Sequence, residues 1–407
     1  MTPTPVHDLD VVLWGATGFT GRLVADHLVA RHGVDDGLRW AIGGRNEVKL
    51  EALRDELGAD VPIVLGDAAD PDSLRAMAEA TRVVCTTVGP YARHGSELVA
   101  ACVETGTDCC DLTGEIQWIR RMIDQHHQRA AATGARIVHC CGFDCIPTDL
   151  GTWFTQQQMI ERHGTPSPHV SIRVAGGFGG VSGGTLASMM ALLGEASHDD
   201  AVRALLEDPY ALNPDGERHG GDGPDPKAAT RDDDGNWTSP WLMTIVDGPV
   251  VRRSHALLGR PWGEDFRLDE RLRIGRGPTA RLGATLVATA MIAGRRGGSI
   301  GLVRRAMGSF TPKPGSGPSP RVQQMGFFDI RFHARDAGGE VVLRTRVKGD
   351  RDPGYGSTAK MLGEAAACLA LDDLDVGGGV LTPAAAMGEA LVERLNRHAG
   401  VTFSVDE

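Results

Sequence analysis

The chain has 407 residues, 41% of them hydrophobic, with 54 Gly, 22 Pro and a formal net charge of −11. That length exceeds one ordinary core and predicts two domains. The acidic balance argues against nucleic acid as a main partner, because phosphate binding needs a basic face. Met1–Asp10 lacks a cationic stretch followed by an apolar core, and no apolar run reaches the ~18 residues of a spanning helix. The eight cysteines show no C-x-x-C spacing and read as buried, reduced thiols, so a cytoplasmic protein without a metal site is expected.

The first apolar run, Val11-Val12-Leu13-Trp14, meets a turn spaced G-x-x-G-x-x-G: Gly15, Ala16, Thr17, Gly18, Phe19, Thr20, Gly21. A helical pattern then opens through Leu23, Val24, Leu28 and Val29. This strand–turn–helix context is what the dinucleotide fingerprint requires. Gly15 permits the tight turn, Gly18 a close approach to a pyrophosphate, and Gly21 close packing of helix on sheet. The phosphate would sit on the free N–H groups at the positive helix end.

Strand-like and helix-like segments then alternate to residue 140, the rhythm of a doubly wound α/β domain. Strands are predicted at Leu38–Gly43, Pro62–Leu65, Val83–Val88, Asp108–Leu112 and Arg136–Cys140. Helices are predicted at Glu47–Leu57, Pro71–Ala80, Ser96–Thr105 and Glu115–Ala132. Beyond Gly142 the pattern changes. Ile146–Met159 reads as a helix, Val170–Val174 as a strand, the glycine-rich run 176–184 as irregular, and Thr185–Leu193 as a helix. Residues 207–240 read as a long loop, and Thr311–Pro320 as a stiff connector. Phe327–Ala334 and Val341–Lys348 form a hairpin around Gly338-Gly339, and Thr358–Leu371 and Ala384–Leu395 finish the chain as helices. The expected domains are 1–145 for the nucleotide, 146–350 for an α+β substrate domain, and 351–407 as C-terminal helices packing back on the first.

At the end of the second strand an NAD site usually carries Asp or Glu for the ribose 2′-OH. Here Gly43, Gly44, Arg45 and Asn46 stand there. A carboxylate would repel a 2′-phosphate whereas Arg45 can grip one, so NADP(H) is favoured over NAD(H). The bland alternative for Arg45 is a solvated helix-start residue. Asp67, ending the third strand, borders the adenine or caps its own turn.

In such sheets ligands lie outside the carboxyl ends of the strands, which selects three loops. Thr87, Val88, Gly89 and Pro90 are expected along the cofactor, with Tyr91 and His94 near the nicotinamide. Tyr91 is a candidate proton donor or enolate stabiliser, or else an aromatic wall. Asp111 would hold the nicotinamide ribose or a catalytic partner, and Glu115 a helix N-terminus. After the sixth strand, Asp144 is the third catalytic candidate beside Cys145 and Asp149, on a hinge-like segment fixed by Pro147. No nucleophilic triad or metal-ligand spacing is recognisable.

These residues resemble a known family. Gly15–Gly21, Gly43–Arg45, Thr86–Tyr91, Asp111–Glu115 and Cys141–Asp144 are similar to motifs of saccharopine dehydrogenase-like oxidoreductases. Within that group the chain most resembles the trans-acting enoyl reductases of long-chain lipid biosynthesis. The likeness continues through Ser182–Met189, Asp208–Tyr210, Val251–Leu258, Asp352–Tyr355 and Leu381–Gly388. It departs at Cys145, where serine is expected, and in the loop 211–240. The resemblance implies an α/β fold, with a Rossmann doubly wound parallel sheet and a second α+β domain inserted before a C-terminal helical return. It also implies NADPH-dependent reduction of a carbon–carbon double bond in a hydrophobic acyl or polyketide-like substrate.

A saccharopine-type imine or amino-acid dehydrogenase is the alternative, although no dense cationic cluster marks the pocket loops beyond Arg93 and Arg173. A non-enzymatic NADP-binding membrane-surface protein is the second. Leu282–Gly294 is free of charge and flanked by Arg281, Arg295 and Arg296, so it reads either as a buried helix or as an interfacial surface. The sequence thus admits peripheral membrane contact through 282–296, and a homodimer.

Overall fold

The computed structural model describes residues 8–34, 36–179, 192, 194–196, 198–217, 222, 227–295 and 317–406. The helix expected at 185–193 (Leu192 apart), the motif 182–189 and most of the connector 311–320 lie outside the described residues. The chain divides into two compact units. One comprises the described residues up to Ile146 with Gly317 and Gly354–Gly400. The other comprises those from Pro147, with Pro318–Pro353 and the residues after Gly400.

In the first unit the apolar runs become strands, all but the edge strand Ile63–Leu65 largely buried on both faces, as a covered parallel sheet demands. They are β1 (Leu9–Trp14), β2 (Trp40–Gly44), β3 (Ile63–Leu65), β4 (Thr81–Thr86), β5 (Asp108–Asp111) and β6 (Arg136–Val138). Val11, Val12 and Leu13 are wholly buried. The intervening helices are α1 (Phe19–His32), α2 (Glu47–Leu57), α3 (Pro71–Glu79), α4 (Tyr91–His94), α5 (Ser96–Thr105) and α6 (Ile116–Thr133). Their starts are written locally. Asn46 caps α2 by accepting from Lys49 N, and Asp70 caps α3, with Pro71 at the first helical position. All pairings in this sheet are parallel, in the order β3-β2-β1-β4-β5-β6. The order reverses between β1 and β4, the place where such sheets take ligands.

The second unit begins in α7 (Ile146–His163) and carries β7 (His169–Phe178), α8 (Asp200–Glu207), β8 (Thr230–Arg231), β9 (Trp237–Pro240), α9 (Thr244–Leu257) and β10 (Arg267–Gly275). Next come α10 (Gly277–Arg295), α11 (Pro320–Met325), β11 (Phe327–Arg335) and β12 (Val341–Gly349). The expected hairpin is β11–β12, turning at Gly339 with φ +87°. The strand expected at Val170–Val174 extends to ten residues as β7 and pairs with both β10 and β11.

One expectation is corrected here, and one strand is added that the sequence reading did not mark. Residues 230–231 and 237–240 are not loop but strands β8 and β9. Between them Asp233 pairs with Arg335 at 2.6 Å and Asp234 with Arg344 at 3.4 Å, above the buried His333. Strand β10 was hidden by its charges. Asp269 is neutralised by Arg173 on β7 at 2.5 Å, and the buried Arg271 donates to Thr238 Oγ1 on β9 at 2.8 Å, so charged groups of this strand are paired or hydrogen-bonded by its neighbours.

The chain then returns to the first unit. Helix α12 (Thr358–Leu371) is buried nearly throughout and packs on α1 and against β1, β4 and β5. Strand β13 (Gly379–Leu381) adds to β6 in parallel, and α13 (Pro383–Arg394) follows. The tail is not helical to its end: Val401–Val405 forms β14, antiparallel to β12 in the second sheet. Its alternating, β-branched Val-Thr-Phe-Ser-Val suits that edge.

Candidate functional site: the carboxyl edge of the first sheet

The glycine bend is fastened to both neighbouring strands. Gly15 and Ala16 N–H groups donate to the Gly43 carbonyl at 3.0 and 3.2 Å, and Gly18 N–H to Gly15 O at 3.0 Å. The Thr87 hydroxyl, just past β4, donates to Gly15 O at 3.1 Å. Gly15 has φ +86°, and a Cβ there would lie 2.7 Å from Val88 Cγ2. A Cβ on Gly21 would press into the Gly15 carbonyl and sit 2.8 Å from Ala16 Cα. These two positions therefore exclude any side chain, for the two reasons the spacing suggests.

Helix α1 begins at Phe19 behind Gly18, with no side-chain cap and no acid in its first turn. Its leading N–H groups and the positive helix end are left for an anion. Phe19 contributes backbone only, since its ring meets Tyr355 edge-on at 4.6 Å. Thr17 and Thr20 are half-buried beside the exposed Gly18.

Arg45 lies two residues past the Gly43 carbonyl that anchors the bend, and it is exposed. Asn46 is engaged as the α2 cap and Asp67 closes its own turn, its Oδ1 accepting from Ala69 N at 2.9 Å. Of the three residues expected at the adenosine end, only Arg45 keeps its side chain out of local structure among the described residues.

The reacting end differs more from expectation. Tyr91 is buried, its hydroxyl donates to the Thr86 carbonyl at 3.1 Å, and its ring stacks on Trp118 at 5.6 Å. Burial raises its pKa well above 10, with the nearby Asp111 charge adding to the effect. The phenol thus serves as a wall and as a brace between the ends of β4 and β5, donating to Thr86 O and accepting from Leu112 N at 3.5 Å. Pro90 precedes it in a loop where Val88 N–H donates to the Thr86 hydroxyl. Gly89 has ordinary room around it, the Tyr91 ring lying 3.5 Å from a built Cβ.

Glu115 caps a helix, but not its own. It lies at the start of α6, yet its carboxylate accepts from Tyr91 N at 2.9 Å and Ala92 N at 3.0 Å, at the opening of α4. Asp111 is buried and accepts from His139 Nδ1 at 2.6 Å and from Thr113 N at 3.0 Å. It also accepts from Cys140 N at 3.3 Å, where Cys140 holds φ +65°. Asp111 therefore binds the ends of β5 and β6 together, and its carboxylate is not available to a ribose. His139, packed edge-on against Trp118 at 4.9 Å, was not singled out from sequence. Only its place at the end of a predicted strand pointed to it.

Asp144 stands apart from these. It is half-buried on the turn after β6, and no partner holds its carboxylate among the described residues. Burial raises its pKa to about 6. The turn is set by Phe143 N–H donating to Thr358 Oγ1 at 3.0 Å and by Ile146 N–H donating to Gly142 O at 2.9 Å. Cys145 is a buried thiol, and Asp149 accepts from Ser254 Oγ at 2.5 Å inside the second unit. Among the described residues no group of three or more His, Cys, Asp or Glu is arranged to hold a metal ion.

Residues 11–138 match the saccharopine dehydrogenase NADP-binding domain. A Mycobacterium tuberculosis protein provisionally named a trans-acting enoyl reductase is 42% identical, over 99% of this chain and 98% of its own. The trans-acting enoyl reductase of Mycobacterium ulcerans is 39% identical over 98% and 97%. Apo saccharopine dehydrogenase (L-Glu forming) from Saccharomyces cerevisiae shares the fold. Its TM-score is 0.55 at 14% identity, over 98% of this chain and 99% of that one. The chain belongs to the saccharopine dehydrogenase-like family that includes the trans-acting enoyl reductases. It is an NADP-binding oxidoreductase of Rossmann type, and the glycine bend, uncapped helix end and acid-free β2 terminus fit NADP(H).

Proposed function

We propose that this family member reduces the carbon–carbon double bond of a hydrophobic α,β-unsaturated acyl thioester. The observation carrying the reading is that relatives named trans-acting enoyl reductases align along the whole chain, not along the nucleotide unit alone. A saccharopine-type substrate bearing several carboxylates would need unpaired cations. Of the two candidates, Arg173 is buried and committed to Asp269.

NADPH bound on the bend would supply a hydride. Arg45 would hold the 2′-phosphate and the α1 N–H groups the pyrophosphate, while Thr87 and Val88 pack on the bend at Gly15. The Asp111–His139 pair and Glu115 fix the loops at the strand ends. We assign the proton that the α-carbon must receive to Asp144, whose pKa near 6 leaves about a tenth of it protonated at pH 7.

The test is NADPH consumption by the full-length protein with 2-enoyl thioesters of several chain lengths, with product mass confirming the addition of two hydrogens. Turnover that rises with chain length is expected. Tight NADPH binding with no turnover at any length, or amine-dependent NADP+ reduction, would overturn the reading.

A further inference from the structure

We infer that the outward face of α10 is a docking surface for an anionic lipid bilayer. The helix lies on β9 and β10, burying Ala280, Ala284 and Ala288 at successive four-residue steps. On the other side Leu282 and Leu286 are 62% and 61% exposed, one turn apart. The exposed Thr285 and Thr289 between and beside them donate to the carbonyls of Arg281 and Thr285, each at 2.8 Å. Their hydroxyl protons are satisfied within the helix, which lowers the cost of moving them out of water. The result is an apolar ridge on the outer side of the helix. The helix is anchored along one side and is not apolar enough to cross a membrane.

Charge identifies the occupant. From Arg273 to Phe328 the sequence holds eight Arg, one Lys and no Asp or Glu, in a chain whose net charge is −11. Among the described residues, Arg281 is exposed beside Leu282 and lies over the Trp237 ring at 5.2 Å, with Arg231 at 5.7 Å from the same ring. Arg276 is exposed and donates to the Asp234 carbonyl at 2.6 Å. The nearby carboxylates of Asp233 and Asp234 are occupied by Arg335, Arg344 and His333. Exposed leucines rimmed by guanidinium groups and an indole are the composition of an interfacial helix. Each cation near an anionic surface adds attraction. A second copy would set these same arginines against each other, which disfavours self-association through this face.

Vesicle co-sedimentation of the full-length protein tests the proposal, using phosphatidylcholine alone and an equal mixture with phosphatidylglycerol. Binding to the mixed vesicles only, weakened by salt, is expected. L282Q/L286Q should weaken it by about tenfold or more from lost apolar burial. R276Q/R281Q should weaken it while removing much of its salt dependence. Unchanged melting temperature and NADPH affinity establish that the variants are folded. No preference for anionic vesicles, undiminished binding by both double variants, or a wild-type dimer that L282Q/L286Q dissociates would overturn the proposal.

Discussion

Replacing Gly21 by alanine sets two effects of opposite sign against each other. In an exposed helix interior the change gains about 1 kcal/mol, because alanine is the better helix former. Here the new methyl would drive into the Gly15 carbonyl and lie 2.8 Å from Ala16 Cα, and both are backbone, which cannot swing aside. Overpacking of this kind costs about 1–3 kcal/mol, so the net change is a loss of up to about 2 kcal/mol. The cofactor should suffer more. Gly18 N–H bonds to the same Gly15 carbonyl, so moving it displaces the bend and the α1 N–H groups together. Losing one charge-assisted hydrogen bond weakens NADPH binding by roughly ten- to a hundred-fold. Fluorescence titration with NADPH and a thermal melt read both effects. Gly44→Ala is the control, because its Cβ meets only Leu50 side-chain atoms at 3.7 Å. A Gly21→Ala protein that melts no lower than wild type and binds NADPH within about twofold of it would refute the steric account.

Arg45→Glu should weaken NADPH by about tenfold or more while leaving NADH unchanged or improved, because a carboxylate then faces the 2′-phosphate; parallel titrations with the two cofactors decide it. Asp144→Asn should lower kcat. It should also abolish a decline in rate as pH rises through about 6, the sign expected when the protonated acid is the active form. Because the folded pKa is raised, the wild-type carboxylate contributes most stability below its ordinary value of 3.8 and loses it as pH rises to about 6. Asp144→Asn should therefore melt higher than wild type at about pH 8 and level with it near pH 3.5. Glu115→Ala strands two N–H groups at the start of α4, and should cost about 1–3 kcal/mol in a denaturant melt.

Much of the first unit was legible because its signals are local. A glycine without room for Cβ, an asparagine or aspartate before a helix, and a β-branched run buried on both faces each act within a few residues. The strands β1, β2, β4 and β6, the bend and the absence of an acid after β2 were readable for that reason. The second unit was less legible: β10 carries charged residues whose partners lie on neighbouring strands, and β8 and β9 sit within a stretch whose Asp and Gly content reads as loop.

The sequence by itself determined the dinucleotide bend and the alternation of strands and helices up to residue 140, since strand, turn and helix there are specified by adjacent residues; the pairing order and the added strand β13 came only from the fold. The tertiary structure alone also decided the assignment of polar groups at the strand ends. Tyr91 finds the Thr86 carbonyl, Asp111 finds His139 across 28 positions, and Glu115 reaches back to another helix. Asp144 remains without a partner among the described residues, on a turn held by Thr358 from a distant helix. Whether a carboxylate is a brace or a proton carrier depends on which donors the fold brings within about 3 Å of it, and those donors come from parts of the chain that no local pattern connects.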